Sequence, residues 1–212
     1  MMEDFRKDLA TILRAEGAIR FGQFRLKLHD TNPEAPLSPL YVDLRTVCRL
    51  PGYCERIAKI IDGMSRKSPI EFDVVADIPL SISPVATTLS HLIGCGQVTP
   101  RPTAKTHGGG DMVLGKVEKG HVALLLDDVI TKADSKLEAA RTLEEAGLSV
   151  RDVFVVVDRE QGGKEELAAH GMTLYSIFTL KELCDFYREQ NLITEAEYQA
   201  CAVYFEWESV AA

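Results

Sequence analysis

The pattern of apolar and polar positions predicts that strands and helices alternate along most of the chain. Short uncharged runs at residues 122–126 and 153–157 are typical of strands buried on both faces of a parallel sheet. Between them, Leu137, Ala140 and Leu143 recur at helical spacing. A strand, helix and strand in this order should form a right-handed parallel unit. The pattern therefore predicts an α/β fold, with an open parallel sheet flanked by helices.

The N-terminal part of the chain has the pattern of a hairpin. Apolar and polar residues alternate over residues 24–28 and again over residues 40–45, which predicts two half-buried strands. The polar, proline-containing stretch 29–38 between them predicts a long loop. We expect these strands to form a small hood over the sheet.

Two helix-start signals stand near the C-terminus. Thr179 with Glu182, and Thr194 with Glu197, fit the capping box and predict two final helices. We expect a single domain, because no linker separates its parts. Those parts are a hood at approximately 1–50, a core at approximately 51–180 and C-terminal helices at 181–206.

Acidic residues follow three of the predicted strands. They are Asp77, Asp127 with Asp128, and Asp158. In open α/β sheets, ligands bind at the carboxyl ends of the strands, and a helix N-terminus after such a strand favours an anion. Two interpretations of the 127–135 segment stay open. Its carboxylates could hold sugar hydroxyls or a hydrated cation while the loop holds a phosphate, or an acidic turn could merely cap the helix through Asp134 or Ser135.

A cationic, glycine-rich stretch lies at residues 100–110. It combines Arg101, Lys105 and His107 with three consecutive glycines. This composition buries little apolar surface and predicts a mobile loop. The loop is either a solvated hairpin tip or a lid that closes on phosphates.

Composition limits the classes of partner. The 212 residues carry a net charge of −8, so nonspecific nucleic-acid binding has no overall electrostatic support. No apolar run approaches membrane-spanning length, and the N-terminus lacks a signal-peptide pattern, so we expect a cytoplasmic protein. Five cysteines without a Cys-x-x-Cys pair predict reduced thiols and not a disulfide frame or zinc site.

Four stretches of the chain are similar to motifs of a known enzyme family. In chain order they are residues 21–27 with 38–45, Arg101 with 105–108, the run 127–131, and the run 158–163. The 127–131 run resembles the phosphoribosyl-diphosphate (PRPP) signature of type I phosphoribosyltransferases. The other three resemble the hood, the mobile catalytic loop and a further segment of orotate phosphoribosyltransferases. The resemblance covers roughly residues 5 to 180.

This resemblance implies transfer of the 5-phosphoribosyl group from PRPP to orotate, giving orotidine 5′-phosphate and pyrophosphate in pyrimidine biosynthesis. It implies Mg²⁺ as cofactor, held largely by substrate oxygens, with no metal ligand assigned to the protein. It also implies a homodimer with shared active sites. The alternatives are a phosphoribosyltransferase acting on another base and a non-catalytic PRPP-sensing regulator. The cationic loop favours the enzyme, since a sensor has no need of a lid over leaving pyrophosphate.

The resemblance also implies roles for individual residues. The implied catalytic residues are Lys105, His107, Asp127 and Asp128, with the two aspartates holding the ribose hydroxyls. Arg159, Lys27 and Thr131 would bind orotate, Arg159 by pairing with its carboxylate. The implied PRPP-binding residues, of which 131–135 surround the 5-phosphate, are Arg101, Lys105, His107, Asp127, Asp128, Val129, Ile130, Thr131, Lys132, Ala133, Asp134 and Ser135.

Four positions depart from the family pattern. Pro102 replaces a basic residue, residues 80–83 lack the usual aromatic or lysine, and the 29–36 stretch is longer than in many members. In the phosphate loop, Lys132, Ala133 and Asp134 replace a threonine- and glycine-rich sequence. We expect Ala133 to restrict positive φ and Asp134 to repel a phosphate. Lys132 should compensate by contacting the phosphate or by pairing with Asp134.

Overall fold

The computed structural model describes residues 2–30, 32–47, 50, 52–101 and 112–211, without side-chain surroundings for 2–3, 27–28 and 207–211. Its helices and strands follow in the order α1 (Met2–Ala15), β1 (Ile19–Phe24), β2 (Ser38–Val42), α2 (Tyr53–Ser65), β3 (Val74–Asp77), α3 (Ser83–Ile93), β4 (Gly96–Pro100), β5 (Val113–Leu114), β6 (Val122–Ile130), α4 (Asp134–Glu145), β7 (Ser149–Asp158), α5 (Gly163–Ala169), β8 (Thr173–Thr179), α6 (Leu180–Glu189) and α7 (Glu195–Ala211). Short 3-10 turns span Lys27–Asp30 and Leu44–Thr46.

Six strands form one sheet in the order β5-β4-β3-β6-β7-β8. The pairs from β4 through β8 are parallel, and β5 pairs antiparallel with β4 at the edge. Strand β6 lies near the centre, with Leu125 opposite Ala76 on one side and Val153 on the other. The predicted open, mostly parallel α/β sheet is therefore confirmed.

Helices cover both faces of this sheet. On one face, Leu125 of β6 belongs to the same core cluster as Leu143 of α4 and Leu167 of α5. On the other face, Leu126 of β6 clusters with residues of α1, α2, α3 and α6, and Tyr187 of α6 donates a 2.9 Å hydrogen bond to the Ala10 carbonyl. Burial on both faces explains why the strands are continuous apolar runs.

The N-terminal hairpin forms a separate two-stranded sheet. Strands β1 and β2 pair antiparallel, with Ile19 opposite Val42. The prediction of a strand at residues 24–28 is wrong, because β1 ends at Phe24 and a 3-10 turn spans Lys27–Asp30. The reason is local: buried His29 accepts the Leu26 N–H through Nδ1 at 2.9 Å, and such side-chain bonds favour turns over strands. The division into hood, core and C-terminal helices stays a prediction.

Both C-terminal helices begin as predicted. At α6, Thr179 Oγ1 accepts the Glu182 N–H and Glu182 accepts the Thr179 N–H, which is a complete capping box. Thr194 and Glu197 make the same reciprocal pair of bonds before α7. In the described part of the chain, no helix is long and apolar enough to cross a membrane.

Candidate active site

Asp77, the first of the strand-end acids, serves the fold. It is fully buried and accepts hydrogen bonds from Ser83 Oγ at 2.5 Å, Thr99 Oγ1 at 2.5 Å and Gln97 Nε2 at 3.0 Å. These bonds tie the end of β3 to the start of α3 and to β4. Asp77 therefore shapes the turn beside the site, and both of its carboxylate oxygens are engaged by protein groups.

Asp158 also organises the backbone. It is buried at the end of β7, and Oδ1 accepts the Glu160 N–H at 2.8 Å. Burial raises the pKa of its carboxyl group. This bond fixes the turn that leads from β7 through Arg159 towards α5.

Asp127 is enclosed by its own partners. Its side chain accepts the Asp128 N–H at Oδ1, at 2.8 Å, and receives Lys136 Nζ at Oδ2, at 2.5 Å. Burial raises the pKa of Asp127 to about 6, against the opposing positive charge of Lys136. Sequence reasoning did not single out Lys136, although its place on the apolar face of α4 beside Ala140 is a readable signal.

Asp128 has a different environment. It is half-buried, and its Oδ1 accepts the Val129 N–H at 2.8 Å. The pKa of Arg45, which follows β2, is raised first by its hydrogen bonds to Asp43, at 2.7 and 2.9 Å, and least by the charge of Asp128.

The phosphate loop, residues 131–135, runs from the end of β6 into α4. Thr131, Lys132 and Asp134 are exposed, whereas Ala133 is buried and stands at the N-cap without a side-chain cap bond. The interpretation that Asp134 or Ser135 caps the helix is therefore wrong. Ala133 has φ −89°, in the ordinary right-handed region, so the loop places no residue with positive φ at this position.

One amide of this loop is occupied by a carboxylate. The Ala133 N–H donates to Glu166 Oε2 of α5 at 2.8 Å. No sequence signal pointed to Glu166, because the contact joins residues 33 positions apart. Within the described residues, no ion pair joins Lys132 to Asp134, so only the proposed phosphate contact of Lys132 stays a prediction.

The segment after β7 packs directly against the loop. The Arg159 N–H donates to the Ile130 carbonyl at 3.0 Å, and the Arg159 side chain is buried. A Cβ on Gly163 would lie 2.6 Å from the Thr131 carbonyl oxygen and 2.7 Å from Ile130 Cδ1. The 127–131 and 158–163 motifs thus form one continuous structure.

Arg101 shares a cavity with the start of α4. It follows β4, its N–H donates to the Met112 carbonyl at 2.8 Å, and it lines a cavity of about 160 Å³ together with Pro79 and Ser135. Lys105 and His107 lie outside the described residues. Lys27 opens a 3-10 turn, and its side chain is also outside them. Among the described residues, no group of three or more histidine, cysteine, aspartate or glutamate side chains is placed to hold a metal ion.

Comparison with known proteins identifies the family. No protein-family model matches the chain. An orotate phosphoribosyltransferase of Pyrococcus abyssi is 34% identical over 178 residues, covering 84% of this chain and 94% of that protein. A bovine uridine 5′-monophosphate synthase is 32% identical over 185 residues, which cover 87% of this chain and 37% of that protein.

A solved structure agrees with the sequence comparisons. The structure of Leishmania donovani UMP synthase matches with a TM-score of 0.82 and 28% identity, covering 95% of this chain and 42% of that one. The chain thus spans about two fifths of both UMP synthases but nearly the whole Pyrococcus enzyme. With this identity over most of its length, the chain belongs to the orotate phosphoribosyltransferase family.

Proposed function

We propose that this protein transfers the 5-phosphoribosyl group of PRPP to orotate, producing orotidine 5′-phosphate and pyrophosphate. The observation that carries the proposal is the contact between the two strand-end motifs. The Ile130–Arg159 hydrogen bond brings the acidic pair, the 131–135 loop and a buried arginine to one place on the sheet edge. This combination suits a substrate with a sugar, a phosphate and a carboxylate.

The acidic end of β6 suits the proposed chemistry. Breaking the bond between ribose C1 and pyrophosphate leaves an oxocarbenium-like sugar, so the site must stabilise positive charge and needs no covalent nucleophile. The half-buried Asp128 offers a carboxylate for the ribose hydroxyls and for this charge. Our proposal therefore gives Asp128 the main electrostatic role.

The start of α4 suits the 5-phosphate. A helix N-terminus carries partial positive charge and free N–H groups, and Asp134 and Ser135 are the first residues of a 12-residue helix. Arg101, which lines a cavity together with Ser135 of α4, is proposed to close over the pyrophosphate with Lys105 and His107.

Mg²⁺ fits the chemistry of the proposed reaction. It is a hard cation that binds phosphate oxygens and keeps several waters, so the pyrophosphate and ribose oxygens of PRPP would hold it, and no protein side chain is assigned as its ligand. When bound, it would neutralise the charge of the leaving pyrophosphate. Arg159 and Lys27 complete the proposal on the orotate side, where a guanidinium can pair with the carboxylate in a fork. A homodimer and a cytoplasmic location also belong to the proposal.

The test is the loss of orotate absorbance when PRPP and Mg²⁺ are added to the pure protein, with Asp128→Asn as the matched inactive control. We expect Mg²⁺-dependent turnover in the parent and a large loss in the variant. Turnover of another base but not orotate would support the first alternative. PRPP binding without turnover of any base would support the regulator.

A further inference from the structure

A buried lysine lies directly beneath the proposed site. Lys136 of α4 is only 4% exposed and stands on the face of the helix that packs on the sheet. Burying an ammonium group is costly unless it is paired and hydrogen-bonded. Its position therefore requires specific partners.

Those partners belong to the end of β6, which includes the acidic pair, and to the phosphate loop. Lys136 Nζ lies 2.5 Å from Asp127 Oδ2, 2.7 Å from the Val129 carbonyl oxygen and 3.4 Å from Ser135 Oγ. Three acceptors match the three protons of an ammonium group. One side chain thus connects the end of β6 to the first turn of α4.

The same contacts separate the two neighbouring aspartates. Both oxygens of Asp127 are engaged, by Lys136 and by the Asp128 N–H, and Asp127 is 7% exposed. Asp128 is half-buried, and its Oδ1 accepts the Val129 N–H. The adjacent carboxylates therefore have unequal access to a ligand.

We infer that Lys136 is a positioning residue, which holds Asp127 as a buried carboxylate so that Asp127 orients the strand end and Asp128 meets the ribose. The inference rests on the proposed function and assigns unequal roles to the acidic pair. Lys136 itself does not touch the substrate. It acts through Asp127 and through the loop.

The charges around Asp127 give this arrangement a pH signature. Asp127 faces Lys136 from α4 and Asp128 from its own strand; burial raises its pKa to about 6 while Lys136 lowers it. Asp127 is thus ionised above about pH 6, and loss of the lysine charge moves that ionisation to higher pH. The substrates titrate in the same way with every variant, so a difference in the pH profile between two variants arises from the protein.

The experiment compares Lys136→Met, Lys136→Arg, Asp127→Asn and the double change Lys136→Met with Asp127→Asn. Arg141→Met is the control, since Arg141 lies on the same helix and its side chain is 72% exposed. The measurements are kcat and KM for PRPP as functions of pH. The free energy of unfolding in urea checks that each variant is folded. Lys136→Met should lower kcat/KM for PRPP by about 10- to 100-fold, by analogy with the loss of a partner that orients a metal ligand. The acid limb of the Lys136→Met profile, where kcat/KM falls as the pH is lowered, should move to higher pH.

Three further results are expected. Lys136→Arg should recover most of the activity, the double variant should be no worse than Asp127→Asn alone, and Arg141→Met should match the parent. The inference is overturned if Lys136→Met keeps the parent's acid limb, or if the two single losses multiply in the double variant. If Lys136→Met does not fold, the test uses Lys136→Arg and Asp127→Asn. The inference then requires that Lys136→Arg keeps the acid limb and that Asp127→Asn loses it. An inactive parent would instead contradict the proposed function itself.

Discussion

At the residue scale, neighbours in the sequence differ according to what surrounds them. Asp127 and Asp128 are adjacent, yet one is enclosed by Lys136 and a backbone amide while the other remains half-buried. The position of Arg159, which follows β7, is likewise set by its surroundings. Its backbone bonds to Ile130, which places its buried guanidinium beside the site.

Replacing Arg159 by alanine should impair the use of orotate far more than the binding of PRPP. Leaving the orotate carboxylate unpaired in a desolvated site costs about 2–5 kcal/mol, or about 30-fold or more in KM. Steady-state kinetics with each substrate varied in turn measures the difference. Arg159→Lys is the matched control, because it keeps the charge but loses the planar fork. Equal losses for both substrates, together with a lower melting temperature, would show that Arg159 is structural.

At the element scale, the phosphate loop is held by the helix that follows the next strand. Glu166 of α5 accepts the Ala133 N–H, and Gly163 at the start of α5 lies against the carbonyl oxygen of Thr131 and the side chain of Ile130. Helix α5 therefore supports the loop from behind. Its contribution depends on a close approach that only glycine permits here.

Gly163→Ala should displace the loop and weaken PRPP binding. The added methyl carbon would lie 2.6 Å from the Thr131 carbonyl oxygen, and relieving such an overlap costs about 1–3 kcal/mol. We expect a higher KM for PRPP and a lower melting temperature. Gly96→Ala is the control, since its Cβ would meet Val74 Cγ2 at an ordinary 3.7 Å. A Gly163→Ala protein with the parent's KM for PRPP would show that α5 does not hold the loop.

At the scale of the whole molecule, the sheet gathers segments from distant parts of the chain. The carboxyl ends of β4, β6 and β7 bring Arg101, Asp128 and Arg159 to the same edge of the sheet. From the resemblance to orotate phosphoribosyltransferases we further predict a homodimer in which the 101–110 loop reaches the site of the neighbouring subunit.

A mixture of two inactive chains should regain activity if the sites are shared. Lys105→Ala removes the loop cation and Asp128→Asn removes the ribose ligand, so a hybrid dimer contains one intact site. The measurement is turnover after the two chains have been mixed and allowed to exchange. Size-exclusion chromatography with light scattering checks that a dimer exists. Exchange that is demonstrated by mass spectrometry but restores no activity would contradict shared sites.

Much of the fold and part of the site follow from local patterns in the sequence. Apolar runs, helical spacing and the capping boxes at Thr179 and Thr194 predict the elements correctly, because each depends on residues a few positions apart. The acidic run and the 158–163 motif meet at the sheet edge for a similar reason, since consecutive parallel strands end at the same side. The strand predicted at 24–28 failed because one histidine side chain bonded to the nearby backbone.

The division of labour within the site depends on tertiary contacts. Two hydrogen bonds have no local signature in the sequence. Thr99 donates to Asp77, 22 positions away, and Ala133 donates to Glu166, 33 positions away. The pairing of Lys136 with Asp127 likewise exists only once α4 packs on β6. The sequence by itself determined which chemical groups stand at the strand ends. Packing decided which of them are buried and paired, because the cost of burying a charge depends on the partners that the fold brings to it.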